Sequence, residues 1–70
     1  MERKRYLELC QINSVYKGSK KVYFDGIEYF PLSYEMSFEN GVAINSAVLM
    51  DKKANSLVKA KIERIEEVEA

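Results

Sequence analysis

Histidine and tryptophan are absent from this 70-residue chain, and cysteine and proline occur once each. Each absence closes a class of chemistry. Without histidine there is no Ser-His or Cys-His pair for acyl transfer, and no imidazole to hold a metal. With Cys10 as the only thiol, neither an internal disulfide nor a structural zinc site can be assembled. Cys10 itself reads as a small core residue, since free cysteine is commonly buried. The three glycines, Gly18, Gly26 and Gly41, are isolated, so no glycine-rich loop is available to cradle a phosphate. No stretch approaches the ~20 apolar residues of a membrane span. The basic start, Met1-Glu2-Arg3-Lys4-Arg5, is not followed by the apolar segment of a signal peptide. A reducing cytoplasmic setting, no cofactor, no metal and no enzymatic activity are therefore expected.

The chain that remains is an ordinary globular composition, 47% hydrophobic and 31% charged, and its length predicts a single β-rich domain over residues 1–70. So small a domain buries only ~60% of the surface that its unfolded form exposes. With disulfides and metals excluded, self-association is the remaining means of support, and a homo-oligomer is expected.

The most informative run is Phe30, Leu32, Tyr34, Met36 and Phe38, apolar at every second position. A repeat of two is that of a half-buried strand. Turn signals flank it at Asp25-Gly26 and Asn40-Gly41. For Asp25-Gly26 a two-residue loop pairs Phe24 with Ile27 and Val22 with Tyr29. For the second turn, a three-residue loop of Glu39, Asn40 and Gly41 matches apolar with apolar. It pairs Phe38 with Val42, Met36 with Ile44, Leu32 with Val48 and Phe30 with Met50. The two-residue alternative would set Met36 against Asn45. A further loop of Lys53, Ala54 and Asn55, with Asn55 at positive φ, pairs Met50 with Val58 and Val48 with Ala60.

The N-terminal segment Tyr6–Ile12 reads as a strand, with Tyr6, Cys10 and Ile12 on one side. A helix carrying Tyr6, Leu9, Asn13 and Tyr16 in one stripe is the alternative. The C-terminal segment reads as a strand through Ile62 followed by a short helical turn to Val68. The expected architecture is all-β: five short antiparallel strands in a meander, curled into a small SH3-like barrel. The alternative is an α+β fold in which a C-terminal helix covers a four-stranded sheet.

Charge is balanced, 11 against 11, but unevenly placed. Residues 1–21 carry a net +4 and residues 62–70 a net −3. The two ends either neutralise each other or leave a basic patch for an anion. Tyr16, Lys17, Lys20, Lys21 and Tyr23 lie around one glycine-bearing loop. Aromatic faces stack bases and ammonium groups meet phosphates, so these five are the candidate ligand contacts. Val22, Phe24, Ile27 and Tyr29 form a second apolar set, the candidate interface between copies. A duplex nucleic acid fits poorly, because backbone binding needs net positive charge.

The segments Tyr23-Phe24-Asp25-Gly26-Ile27-Glu28-Tyr29-Phe30-Pro31 and Ala47–Ser56 resemble those of small accessory proteins of phages and prophages of low-GC bacteria. The resemblance implies a non-enzymatic protein that acts in the host cytosol by occupying a target. The resemblance carries over no ligand and no site residue; the leading expectation is a homo-oligomeric β module that sequesters an anionic small molecule, such as a nucleotide immune signal, or blocks a host protein in an anti-defence role. A nucleic-acid-binding regulator and a structural subunit of a phage particle are the alternatives.

Overall fold

The computed structural model describes residues 1–53 and 56–68. Residues Arg3–Val15 form a helix, α1, where the sequence pattern predicts a strand. The reason is Glu8. A strand would place Glu8 on the same buried face as Tyr6 and Cys10, whereas a helix turns it outward. In the helix, Glu8 meets Arg5 at 3.0 Å, while Tyr6 and Leu9 are fully buried. The first turn of α1 has no acidic residue and no side-chain cap. Packing, rather than end effects, therefore holds the helix.

Five strands follow: β1 Val22–Phe24, β2 Ile27–Glu39, β3 Val42–Asp51, β4 Leu57–Lys61 and β5 Glu66–Glu67. They make one antiparallel sheet in the order β4-β3-β2-β1-β5. A 3₁₀ turn, Ile62–Arg64, joins β4 at one edge to β5 at the other. The number of strands agrees with expectation, but only β1 to β4 run as a meander; β5 crosses to the far edge and pairs with β1, so the membership differs. The N-terminal strand is replaced by β5, and the one α-helix among the described residues lies at the N-terminal end, not the C-terminal end. The sheet is also open. Its edge strands β4 and β5 do not pair, so the expected barrel closure is not formed.

The Asp25-Gly26 turn has the expected two-residue form, with φ of 53° and 76° and Phe24 opposite Ile27. The Asn40-Gly41 turn takes the same form, with φ of 52° and 77°. Glu39 therefore pairs with Val42 and Met36 with Asn45, not the apolar matches predicted from a three-residue loop. Burial selects a register only where a face is buried. Here Phe38 is 70% exposed and Val42 64%, so the turn chemistry decides.

A β-bulge between Pro31 and Ser33 then adds one residue, Leu32, to β2. It restores the expected pairing of Phe30 with Met50. It also reverses the alternation. Before the bulge, Phe30 lies on the outer face and Pro31 on the inner one, opposite Leu49. After it, Tyr34 lies on the inner face, opposite Ala47. The run Phe30 to Phe38 is thus divided between two faces.

Across the sheet, Ala47 pairs with Ala60 and Leu49 with Val58, one residue away from the register predicted for β3 and β4. Ala47 and Leu49, both fully buried, are the inward residues of β3. Ala54 and Asn55 of the intervening loop lie outside the described residues. The interior consists of Tyr6, Leu9, Val22, Ala47, Leu49, Ala60, Ile62 and Ile65, with Pro31 also buried. The Tyr6 hydroxyl donates toward the carbonyls of Ser33 (2.7 Å) and Val48 (3.1 Å), where the bulge interrupts the ladder.

Candidate functional site

The chain between α1 and β1 is pinned by one side chain. Asn13 Nδ2 donates to the carbonyl of Lys20 at 2.9 Å, and Asn13 Oδ1 accepts from the backbone N–H of Lys20 at 2.9 Å. Asn13 Nδ2 also reaches the carbonyl of Pro31 at 3.5 Å. Both ends of the loop are thereby fixed against β2, and a cleft of about 400 Å³ remains beside it. Its walls are Asn13, Lys17, Gly18, Phe30, Pro31, Leu32 and Met50.

Each wall has a local cause. Phe30 faces the outer side of the sheet because the bulge follows it, and Met50 is its cross-strand neighbour. Leu32 is the bulged residue and is part-exposed. Gly18 has φ of 75°, a conformation that L side chains rarely adopt, and its position lies 3.7 Å from the Phe30 ring for an added Cβ. The ammonium of Lys21 stands 5.8 Å from the centre of the Phe30 ring.

The five candidate ligand contacts are dispersed differently. Lys17 lines the cleft and Lys21 stands over its aromatic wall. Lys20 is held by its backbone to Asn13. Tyr16, which ends α1, is exposed. Tyr23 faces elsewhere: its hydroxyl donates to Glu28 Oε1 at 3.3 Å, and it borders another cleft with Asp25, Gly26, Arg64 and Glu66. Lys52 lies 2.9 Å from Glu28 and holds that carboxyl below its ordinary range.

As walls of a site, Phe30, Leu32, Met50, Pro31 and Asn13 were not read from the sequence. Pro31 was legible as a bend or an edge, since a proline inside a strand forgoes one ladder hydrogen bond, and the bulge follows it. No comparable signal marked Asn13, whose role depends on contacts 7 and 18 residues away.

Of the four candidate interface residues, Val22 is fully buried, and Phe24 and Tyr29 pack against the interior with ring centres 6.3 Å apart. Ile27 remains 56% exposed. The positive and negative ends of the chain do meet: Arg5 grips Glu67 at 2.6 and 3.1 Å. Burial pushes the Cys10 thiol up from its ordinary value, away from reactivity.

Among the described residues, the cleft lining offers an aromatic face, aliphatic walls, an amide and an ammonium, and no carboxylate or thiol. Such a surface can hold a flat apolar group and pair with a negative charge at its rim. Among the described residues there is no cluster of potential metal ligands, and no helix is long and apolar enough to cross a membrane. No protein-family model matches this chain, and no curated protein or solved structure is significantly similar to it.

Proposed function

We propose that this protein is a small, non-enzymatic, self-associating binding module that holds an anionic small molecule of nucleotide type. The observation that carries the reading is the cleft between the loop after α1 and the outer face of β2. Phe30 and Met50 supply a platform for a planar base, while Lys17 and Lys21 supply positive charge at its edge. Leu32 and Pro31 complete an apolar wall. A ligand held in this way is withdrawn from other receptors, which suits a sequestering role of the kind suggested by the resemblance to phage accessory proteins.

The test is a thermal-shift series with mono-, di- and cyclic nucleotides. A ligand that binds only the folded form must raise the melting temperature. At least one nucleotide is expected to raise it in the wild-type chain and to leave the Lys17→Glu/Lys21→Glu variant unmoved, with the far-UV spectrum of the two proteins alike. No shift with any nucleotide, or an equal shift in the variant, rejects the site.

A further inference from the structure

The hairpin of β2 and β3 projects past the interior. β4 pairs with β3 only from Ser46 to Met50, and β1 pairs with β2 only from Ile27 to Tyr29. The segment 35–45 is therefore a two-stranded ribbon, bearing Met36 at 49% exposure and Phe38 at 70%. The molecule is correspondingly long, 36 × 22 × 19 Å. A two-stranded ribbon alone is marginal in water, and an open edge with apolar side chains is a template for another strand.

The open edges are not equivalent as templates for self-pairing. On β4, aligning Leu57–Lys61 with itself places Lys59 against Lys59, a like-charge contact. β5 offers two residues, both glutamates, and Glu67 is already held by Arg5. On β3, the stretch left free by β4 is only 42–45. The free edge of β2 is longer and different. Aligned antiparallel with itself about Met36, Tyr34 falls opposite Phe38, Glu35 opposite Ser37, and Ser33 opposite Glu39. Every apolar residue meets an apolar one, and no glutamate lies directly opposite another. Glu35 is also neutralised within its own chain by Lys59 at 2.8 Å.

We propose that two copies of this chain pair antiparallel along the Ser33–Glu39 edge of β2, with Met36 opposite the partner's Met36. The two ribbons become one four-stranded sheet, and Tyr34, Met36 and Phe38 of each copy gain cross-strand neighbours on the face that is now open. This deepens the self-association in the reading above and does not depend on the cleft. The chemistry of recognition is main-chain hydrogen bonding, with register set by alternate side chains.

Site-directed crosslinking tests it. In a Cys10→Ser background, Met36→Cys places two thiols with Cα atoms ~5.5 Å apart across the axis, within disulfide reach. Glu39→Cys places its two thiols ~20 Å apart, given a strand rise of ~3.4 Å per residue. Mild oxidation is expected to link the Met36→Cys protein into dimers and leave the Glu39→Cys protein largely unlinked. A mixture of the Ser33→Cys and Glu39→Cys proteins is expected to link to each other. Light scattering of the unmodified protein should give twice the 8.1 kDa chain mass, and Met36→Lys should return it to a single chain with an unchanged far-UV spectrum and a lower melting temperature. A monomeric wild-type protein, crosslinking at Glu39→Cys equal to that at Met36→Cys, or a dimer unaffected by Met36→Lys overturns the proposal. A dimer built instead by β4 against the partner's β5 would leave the Met36→Cys thiols free and overturn it too. Any of these with nucleotide-induced stabilisation intact leaves the cleft reading standing.

Discussion

Tyr6 does two things at one position. Its ring fills the centre of the interior, and its hydroxyl serves two carbonyls that the bulge removes from the regular ladder. Removing only the hydroxyl leaves those acceptors without their donor in a dry setting. Tyr6→Phe is expected to lower unfolding free energy by about 1–3 kcal/mol, read by urea denaturation with an unchanged m-value. A loss below the error of the measurement would show that water replaces the phenol. Asn13 is the polar counterpart, joining helix, loop and strand with one amide. Neither role is visible in a list of residues. Tyr6 reads as an apolar position in either a strand or a helix, and the deciding residue was its neighbour Glu8, which cannot be buried beside it.

Among the elements, the Asn40-Gly41 turn and the bulge determine how the sheet is assembled. Both turn residues have positive φ, and an added Cβ at Gly41 would meet open space, so conformation alone excludes a side chain there. Gly41→Val is expected to cost about 1–2 kcal/mol, the penalty of holding an L-residue left-handed, with no loss of core packing. Hydrogen exchange confined to faster opening of residues 35–45 would be the sign. The Asp25-Gly26 hairpin was legible because its loop length and its apolar matches agree. The second hairpin departs from expectation because its side chains are exposed and do not select a register, and β4 shifts by one residue because β3 turns Ala47 and Leu49 inward rather than Val48 and Met50. The candidate site was half legible: the lysines of the loop could be found in the sequence, but their aromatic and aliphatic walls required the parity change at Leu32.

For the whole molecule, charge sets the range of conditions in which the fold is stable. Hydrogen bonds from Arg5 hold the Glu67 carboxyl below its ordinary range, and Lys52 does the same for Glu28. Lowered carboxyl values mean that these contributions are complete above about pH 4.3 and fade as pH falls through the folded values. The Tyr6 phenol is pushed the other way, chiefly by burial. Its contribution is complete below about pH 10 and is lost as pH rises from there. Melting temperature against pH should therefore be a plateau with a fall at each end. Glu67→Gln should soften the acid fall, Tyr6→Phe should soften the alkaline one, and an alkaline limb unaltered by Tyr6→Phe would assign it to another group. Added salt should shrink the acid effect, since both ion pairs are exposed.

Length at one point is spare in this molecule. Position 32 holds the one supernumerary residue of β2, so a one-codon deletion there would close the bulge and let Ser33 follow Pro31 directly, opposite Val48 and Leu49 in turn. Met36 and Phe38 would keep their side of the arm, because the Asn40-Gly41 turn sets their pairing with Asn45 and Ala43. Losing Ser37 instead would draw Met36 into its outward place and Glu35 into the inward one, exchanging greasy and charged sides. A deletion scan scored by solubility should therefore spare position 32 and penalise position 37.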